Sequence, residues 1–90
     1  MEVSFSDSFR KVLKKKLKDN PEFEKEFWFC LQLFIEDPFH SKLRTHKLSG
    51  KLRKLWSFSI SYNLRVVFYF TSTNPKKAVF VDIGTHEEVY

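Results

Sequence analysis

The sequence contains few of the residues that several common kinds of site require. With a single cysteine, Cys30, the chain cannot form an internal disulfide, so nothing indicates an oxidising compartment. Two glycines are too few for a glycine-rich phosphate loop, and three scattered histidines with one cysteine lack the spacing of a metal site. No apolar run approaches the roughly 20 residues of a membrane helix, and no basic region precedes an apolar one as in a signal peptide. We therefore expect a cytoplasmic protein with no membrane partner, metal or other cofactor.

Aromatic and basic residues are, in contrast, abundant. The 90 residues include 11 Phe, three Tyr and two Trp, whose large buried areas give a chain of this length an adequate core. We predict one domain over residues 1–90, with Cys30 as a small apolar core residue. The formal net charge of +5 favours either a polyanion or an acidic protein as the partner.

Two amphipathic helices are predicted in the first half of the chain. Ser6 or Asp7 can cap the first helix, and Asn20 can cap the second, with Pro21 in its first turn. The apolar positions of the second helix recur at helical spacing, and they are Phe23, Phe27, Cys30, Leu31, Phe34 and Ile35. Asp37-Pro38 should end it, which makes a helical hairpin.

Patterns of period two predict strands on both sides of this hairpin. A short strand lies within Met1–Phe5, and three antiparallel strands lie in LWSFSISY, LRVVFYF and AVFVDIG. Turns at Tyr62-Asn63 and Asn74-Pro75 should join these three strands into a meander. We therefore predict an α+β fold with the helices packed on one face of the sheet.

The other face of the sheet is the predicted place for function. Ser57 and Ser59 alternate with apolar residues and so belong to this second face. Because the next strand is apolar on both faces, it can add either of two sets to this face: Arg65, Val67 and Tyr69, or Val66, Phe68 and Phe70.

Four residues with useful chemistry could meet on or beside this face. Arg65 is the only charge in its strand, so it either pairs with Asp82 on a neighbouring strand or binds a phosphate. His86 follows the last strand, Tyr90 could pack back beside it, and His46 lies in a polar, basic segment. Since histidine titrates near neutral pH, two of them beside an arginine could do acid–base work on RNA.

These segments resemble the RelE/ParE superfamily of bacterial toxins, and in particular its YafQ-like branch. HKLSGKLRKLW, SFSISY, LRVVFYF and VDIGTHEEVY are similar to the central and C-terminal signatures of that family, including Gly-Thr-His with an aromatic residue four positions later. The resemblance covers nearly the whole chain. It implies the toxin of a type II toxin–antitoxin system, an endoribonuclease that cuts messenger RNA on the ribosome without a metal. The RNA's own 2′-hydroxyl would attack the adjacent phosphate.

The same resemblance implies roles for individual residues. His86 would be the general acid, His46 the general base, Arg65 the holder of the scissile phosphate, and Tyr90 the residue that orients the substrate. The expected contacts with RNA are Lys47, Lys51, Arg53, Lys54, Ser57 and Ser59. An acidic antitoxin is the expected protein partner, docked on the helical hairpin and the basic groove.

Some positions depart from the family pattern and keep two alternatives open. RelE has lysines where Ser57 and Ser59 stand, and the YafQ-like branch has an Asp and an Arg where this chain has Asn63-Leu64 and Asp82-Ile83. Each change removes or reverses a charge. One alternative is therefore a ParE-type toxin that binds DNA gyrase without cutting RNA. The other is a catalytically degenerate domain that binds only a protein.

Overall fold

The computed structural model describes residues 1–72 and 76–90, whose strands all join one mixed sheet. In chain order, the strands and α-helices are β1 (Glu2–Phe5), α1 (Asp7–Leu17), α2 (Pro21–Glu36), β2 (His46–Lys47), β3 (Trp56–Ser59), β4 (Arg65–Phe70), β5 (Lys77–Gly84) and α3 (His86–Val89). Short 3-10 turns at Ser41–Leu43 and Gly50–Leu52 flank β2. The turn predicted at Asn74-Pro75 lies outside the described residues.

The sheet has the strand order β1-β5-β4-β3-β2. β1 runs parallel to β5, and the remaining neighbours are antiparallel. The predicted α+β order of strand, two helices and antiparallel meander is confirmed. The predicted strand count is wrong, because the two-residue strand β2 pairs with β3 and makes five strands. A third helix, α3, was not predicted either.

Local capping sets the limits of both long helices as predicted. The Ser6 side chain accepts a hydrogen bond from the Phe9 amide, and Asn20 accepts one from Phe23. Both bonds satisfy amides that have no partner within the helix. Between the helices, Asp19 takes a left-handed conformation with φ of 56°, which turns the chain sharply.

The core lies between these two helices and one face of the sheet. Phe34 of α2 is fully buried and stacks on Phe58 of β3, with ring centroids 5.0 Å apart. Cys30 is 8% exposed, as predicted for a core position. Ile35, another apolar position of the amphipathic pattern of α2, is 37% exposed.

Strand register identifies the residues on the opposite face, here called the site face. Ser59 lies opposite Arg65, and Ser57 lies opposite Val67. Partners in an antiparallel pair project to the same side of a sheet. Tyr69, two residues beyond Val67, joins them. Of the two sets left open by the sequence, the site face therefore carries Arg65, Val67 and Tyr69.

The longest described helix, α2, has 16 residues. None of the helices in the described part of the chain has the length and apolar character needed to cross a membrane.

Candidate active site

The short helix α3 covers part of the site face and is fixed by a reciprocal cap. The Thr85 hydroxyl accepts from the Glu88 amide at 3.2 Å, and the Thr85 amide donates to Glu88 Oε1 at 2.7 Å. Gly84 lets the helix approach closely, since a Cβ there would stand 3.0 Å from Glu88 Cβ. The cap and the close approach together hold His86 and Tyr90 over the sheet.

Tyr90 connects α3 to the strand beneath it. Its hydroxyl donates or shares a hydrogen bond with the hydroxyl of Ser57, which is fully buried. The His86 ring meets the edge of the Tyr90 ring, with centroids 4.5 Å apart and planes at 82°. Edge-to-face packing of this kind fixes ring orientation as well as position. His86 is exposed, so its ring is both oriented and open to a ligand.

His46 lies on the same face, on the edge strand β2. It is paired directly with Ser57, the residue that bonds Tyr90. His46 Nδ1 lies 3.0 Å from the carbonyl oxygen of Arg44. Because a carbonyl oxygen can only accept, Nδ1 carries the proton and donates it to this bond. In the neutral ring Nε2 is then the unprotonated nitrogen, which is the form that a general base needs.

Arg65 lies further along β4, at one side of the row formed by His46 and Ser57. Its guanidinium donates to the hydroxyl of Ser59 and is half-buried. The alternative pairing of Arg65 with Asp82 is wrong. The Asp82 carboxylate instead accepts from the amide of Ile83 at 2.8 Å.

A small cavity of about 280 Å³ lies beside Arg65. Lys42, Arg44 and Arg65 all line it, so positive charge converges there. Sequence reasoning singled out only Arg65. The other two lie in the turn that precedes β2, and only the pairing of β2 with β3 brings them near.

Ser57 and Ser59 lie on the site face, as predicted. They are not open to solvent there, as direct contacts with RNA would have to be. Ser57 is fully buried and Ser59 is 9% exposed. Each hydroxyl is instead engaged by a site side chain, Tyr90 for Ser57 and Arg65 for Ser59. The two serines are therefore placed to orient those groups rather than to meet RNA directly.

Of the four basic residues expected to contact RNA, Lys47 lies in the edge strand β2, and the other three lie in the segment between β2 and β3. Lys47, Lys51, Arg53 and Lys54 are all exposed. Lys47, Arg53 and Lys54 line a groove of about 600 Å³ at the end of the sheet where β3 begins and β4 ends. Lys51 lines a neighbouring cavity with Arg53 and Lys54. Their clustering makes this edge strongly positive.

Glu88 is a residue of the site region that sequence reasoning missed. Hydrogen bonding from the Thr85 amide, and then the charge of Lys16 with Nζ 3.9 Å away, lower the pKa of its carboxyl. Glu88 therefore contacts both Thr85, the cap of α3, and Lys16 of α1. The signal was present, because Thr85 followed three residues later by Glu88 is the capping-box pattern.

Taken as a geometric arrangement, the site face can perform proton transfer beside an anion. One imidazole, His46, is held in the tautomer that accepts a proton. A second, His86, is held in place by Tyr90. Arg65 supplies a fixed positive charge at one side. These are the components needed to move protons around a phosphate diester.

Comparisons with known proteins identify the family of the sequence and its structural relatives. Residues 1–90 match the family described as "Bacterial toxin of type II toxin-antitoxin system, YafQ". The YoeB/ParE toxin from Agrobacterium tumefaciens has a TM-score of 0.80 at 14% identity, over 96% of this chain and 99% of that one. YafQ from E. coli strain BL21(DE3) has a TM-score of 0.79 at 15% identity, over 99% of this chain and 97% of that one.

A third structure is that of the E. coli DinJ–YafQ toxin–antitoxin complex. Its matching chain has a TM-score of 0.76 at 15% identity, over 99% of this chain and 96% of that one. At these identities the structural likeness shows the fold alone. No curated protein sequence matches the chain.

Proposed function

The chain belongs to the YafQ family of bacterial toxins of type II toxin–antitoxin systems, and we propose that it inhibits translation by cutting messenger RNA on the ribosome. The observation that carries the proposal is the 3.0 Å contact between His46 Nδ1 and the Arg44 carbonyl oxygen, from which the tautomer of His46 is inferred. Its Nδ1–H is held by the Arg44 carbonyl, which leaves Nε2 free to accept a proton. The same face carries Arg65 and, through Ser57 and Tyr90, His86.

The proposed reaction is an internal transfer of the phosphate ester, without a metal or other cofactor. The 2′-hydroxyl oxygen of one nucleotide forms a bond to its 3′-phosphorus as the bond from phosphorus to the 5′-oxygen of the next nucleotide breaks. His46 Nε2 takes the proton of the 2′-hydroxyl. Protonated His86 gives its proton to the departing 5′-oxygen. The products are a 2′,3′-cyclic phosphate and a free 5′-hydroxyl.

Arg65 and Tyr90 hold the reacting groups in this scheme. Arg65 neutralises the negative charge that accumulates on the phosphate oxygens. Its half-buried position and its bond to Ser59 keep the guanidinium in place before the substrate arrives. Tyr90 orients the His86 ring by edge-to-face contact, and its own orientation is fixed by Ser57. Lys47, Lys51, Arg53 and Lys54 add salt-dependent affinity for the RNA backbone.

An acidic antitoxin is the partner proposed to hold this toxin inactive in the cytoplasm. YafQ in the E. coli complex is bound to DinJ, and the net charge of +5 of this chain suits an acidic partner. On α1, Leu13 and Leu17 line an open groove whose other residues are Arg10, Lys14 and Lys18. An amphipathic acidic segment is complementary to such a surface.

The test is induced expression in bacterial cells, with growth followed and RNA 5′ ends mapped on a translated and an untranslated message. Wild type should stop growth and cut only the translated message. His86→Ala and His46→Asn should each reduce cutting by about 10²- to 10⁴-fold, the usual contribution of a general acid or base. Asparagine is chosen at position 46 because its amide can still donate to the Arg44 carbonyl while Nε2 is lost.

A matched control uses the remaining histidine. His40 caps the 3-10 turn Ser41–Leu43, where its Nδ1 atom accepts from the Lys42 amide. Asparagine can make the same cap, so His40→Asn should keep full activity. Growth arrest by wild type and His86→Ala alike, with no cuts on either message, would refute the RNA-cleavage proposal. That result would favour a ParE-type toxin that binds gyrase, or a domain that acts only by binding protein.

A further inference from the structure

The groove at the end of the sheet combines an exposed aromatic side chain with three cations. Lys47, Arg53 and Lys54 line it together with Tyr69, which is 38% exposed, and Trp56. Its volume of about 600 Å³ lies in the range of pockets that hold a nucleotide-sized ligand. Phosphate needs cations, and a nucleobase needs a flat apolar surface. Lys47 and Trp56 are paired and project to the other side of the sheet from Tyr69, so the open groove wraps around the end of the sheet and supplies both.

The position of Tyr69 connects this groove to the site face. Tyr69 projects from β4 on the same side as Arg65, with Val67 between them. Residues four apart in a strand are about 13 Å apart, so Arg65 and Tyr69 stand about 6–7 Å to either side of Val67. Val67 is the residue opposite Ser57, and Ser57 is opposite His46. The row with the proposed base therefore lies between Arg65 and Tyr69.

Each side of this row ends in its own basic cavity. The cavity beside Arg65 is lined by Lys42 and Arg44, and the groove beside Tyr69 is lined by Lys47, Arg53 and Lys54. A single RNA strand that crosses the row is thus met by positive charge on both sides of the cut. The two sides differ in their aromatic groups. Tyr62, which lines the first cavity, is 90% exposed, whereas Tyr69, which lines the groove, is 38% exposed.

We propose that the groove of Tyr69 is a base-binding subsite for a nucleotide of the message to one side of the cleaved linkage. Its base stacks on the Tyr69 ring, and its phosphate contacts Lys47, Arg53 and Lys54. This inference rests on the proposed function and extends it from the cut itself to the flanking sequence. A base held there sets which sequences around the cut are accepted, and the subsite requires a single-stranded, unstacked segment.

Binding can be measured separately from cleavage. The probe is a single-stranded hexanucleotide made of 2′-O-methyl RNA, which lacks the nucleophilic hydroxyl and cannot be cut by the proposed reaction. The chain has two tryptophans, and Trp56 lines the groove whereas Trp28 is on α2. In a Trp28→Phe background, Trp56 fluorescence therefore reports on the groove. Titration at low salt gives the affinity.

In that background, Tyr69→Ala should weaken binding about 5- to 150-fold, as expected for the loss of one base–aromatic stack. Tyr69→Phe keeps the ring and should keep the affinity. Tyr69→Thr retains strand propensity without the ring and should behave like the alanine variant. Phe29→Ala, which removes another exposed aromatic side chain from α2, should have no effect.

Two results would overturn the subsite. One is equal affinity of the alanine, threonine and wild-type proteins for the hexanucleotide. The other is quenching of Trp56 by a decaglutamate peptide as strong as that by RNA, which would identify the groove as a surface for acidic protein. Neither result depends on cleavage. Conversely, absence of cuts in expressing cells would refute the proposed reaction without altering the titration.

Discussion

Replacement of Gly84 by alanine tests whether the position of α3 governs activity. Gly84 has no positive φ, so alanine is compatible with its backbone. The added Cβ, however, would stand 3.0 Å from Glu88 Cβ and 3.2 Å from Val89 Cγ1. Ordinary carbon contacts are about 3.5–4.0 Å. The added methyl therefore overlaps α3 by roughly 0.5 Å, and Glu88 Cβ cannot rotate away because it is attached to the helix backbone.

For Gly84→Ala we expect a large decrease in the rate of RNA cleavage and only a small decrease in the free energy of unfolding. Overpacking costs about 1–3 kcal/mol, while removal of a glycine from the unfolded chain returns about 0.4–1 kcal/mol. The net loss of stability should therefore lie between about 0 and about 2.6 kcal/mol. One turn of helix moves more easily than the central sheet, so α3 should shift with His86 and Tyr90. A displacement approaching 1 Å can reduce a reaction about 10²-fold.

Gly50 provides the matched control because it differs from Gly84 both in its backbone conformation and in the space around an added Cβ. It has φ of +65°, and a Cβ there would meet nothing within 4 Å. Gly50→Ala should therefore cost about 1–2 kcal/mol of backbone strain and leave cleavage nearly unchanged. Both variants should be assayed by urea unfolding and by cleavage of a translated message. Normal cleavage by Gly84→Ala, or an equal loss in both variants, would refute the reasoning.

Three further predictions concern stability and its pH dependence. Phe34→Ala should cost about 3–5 kcal/mol in urea unfolding, since the side chain is fully buried, whereas exposed Phe29→Ala should stay within about 0.5 kcal/mol; similar losses in both would contradict this. Tyr90→Phe should cost about 1 kcal/mol because buried Ser57 loses its partner, and adding Ser57→Ala should restore part of it; strictly additive losses would argue against the bond. The lowered pKa of Glu88 means that its charge stabilises the fold above the ordinary carboxyl pKa, and that this is lost as pH falls through the lowered pKa. The advantage of wild type over Glu88→Gln should therefore shrink on acidification; an advantage that does not change with pH would contradict this.

Local interactions account for the parts of the fold that were predicted from sequence. The caps at Ser6 and Asn20 act within three residues, and both were found where the sequence indicated. The strand β2 was missed because His46-Lys47 is short and polar, and it becomes a strand only through pairing with β3. The face of β4 was left open since the strand is apolar on both sides. Val67 is buried on the site face, which no local pattern shows.

The site required tertiary information for similar reasons. Alternation placed Ser57 on the face away from the helices of the core, and the family resemblance made it an expected contact with RNA. It is buried since α3 and Tyr90 return over the site face. An ion pair between Arg65 and Asp82 was one alternative because the two residues lie on neighbouring predicted strands. The register instead places Arg65 opposite Ser59 on one side and Gly84 on the other.

The chemical nature of the cut ends tests the central claim most directly. In a reconstituted translation reaction, wild type should leave a 2′,3′-cyclic phosphate on the upstream fragment and a 5′-hydroxyl on the downstream one. His46→Asn should leave neither above background, because no group then accepts the proton of the 2′-hydroxyl. A 3′-hydroxyl with a 5′-phosphate, or cyclic phosphate formed equally by His46→Asn, would contradict the assignment of His46 as the base of an internal phosphate transfer.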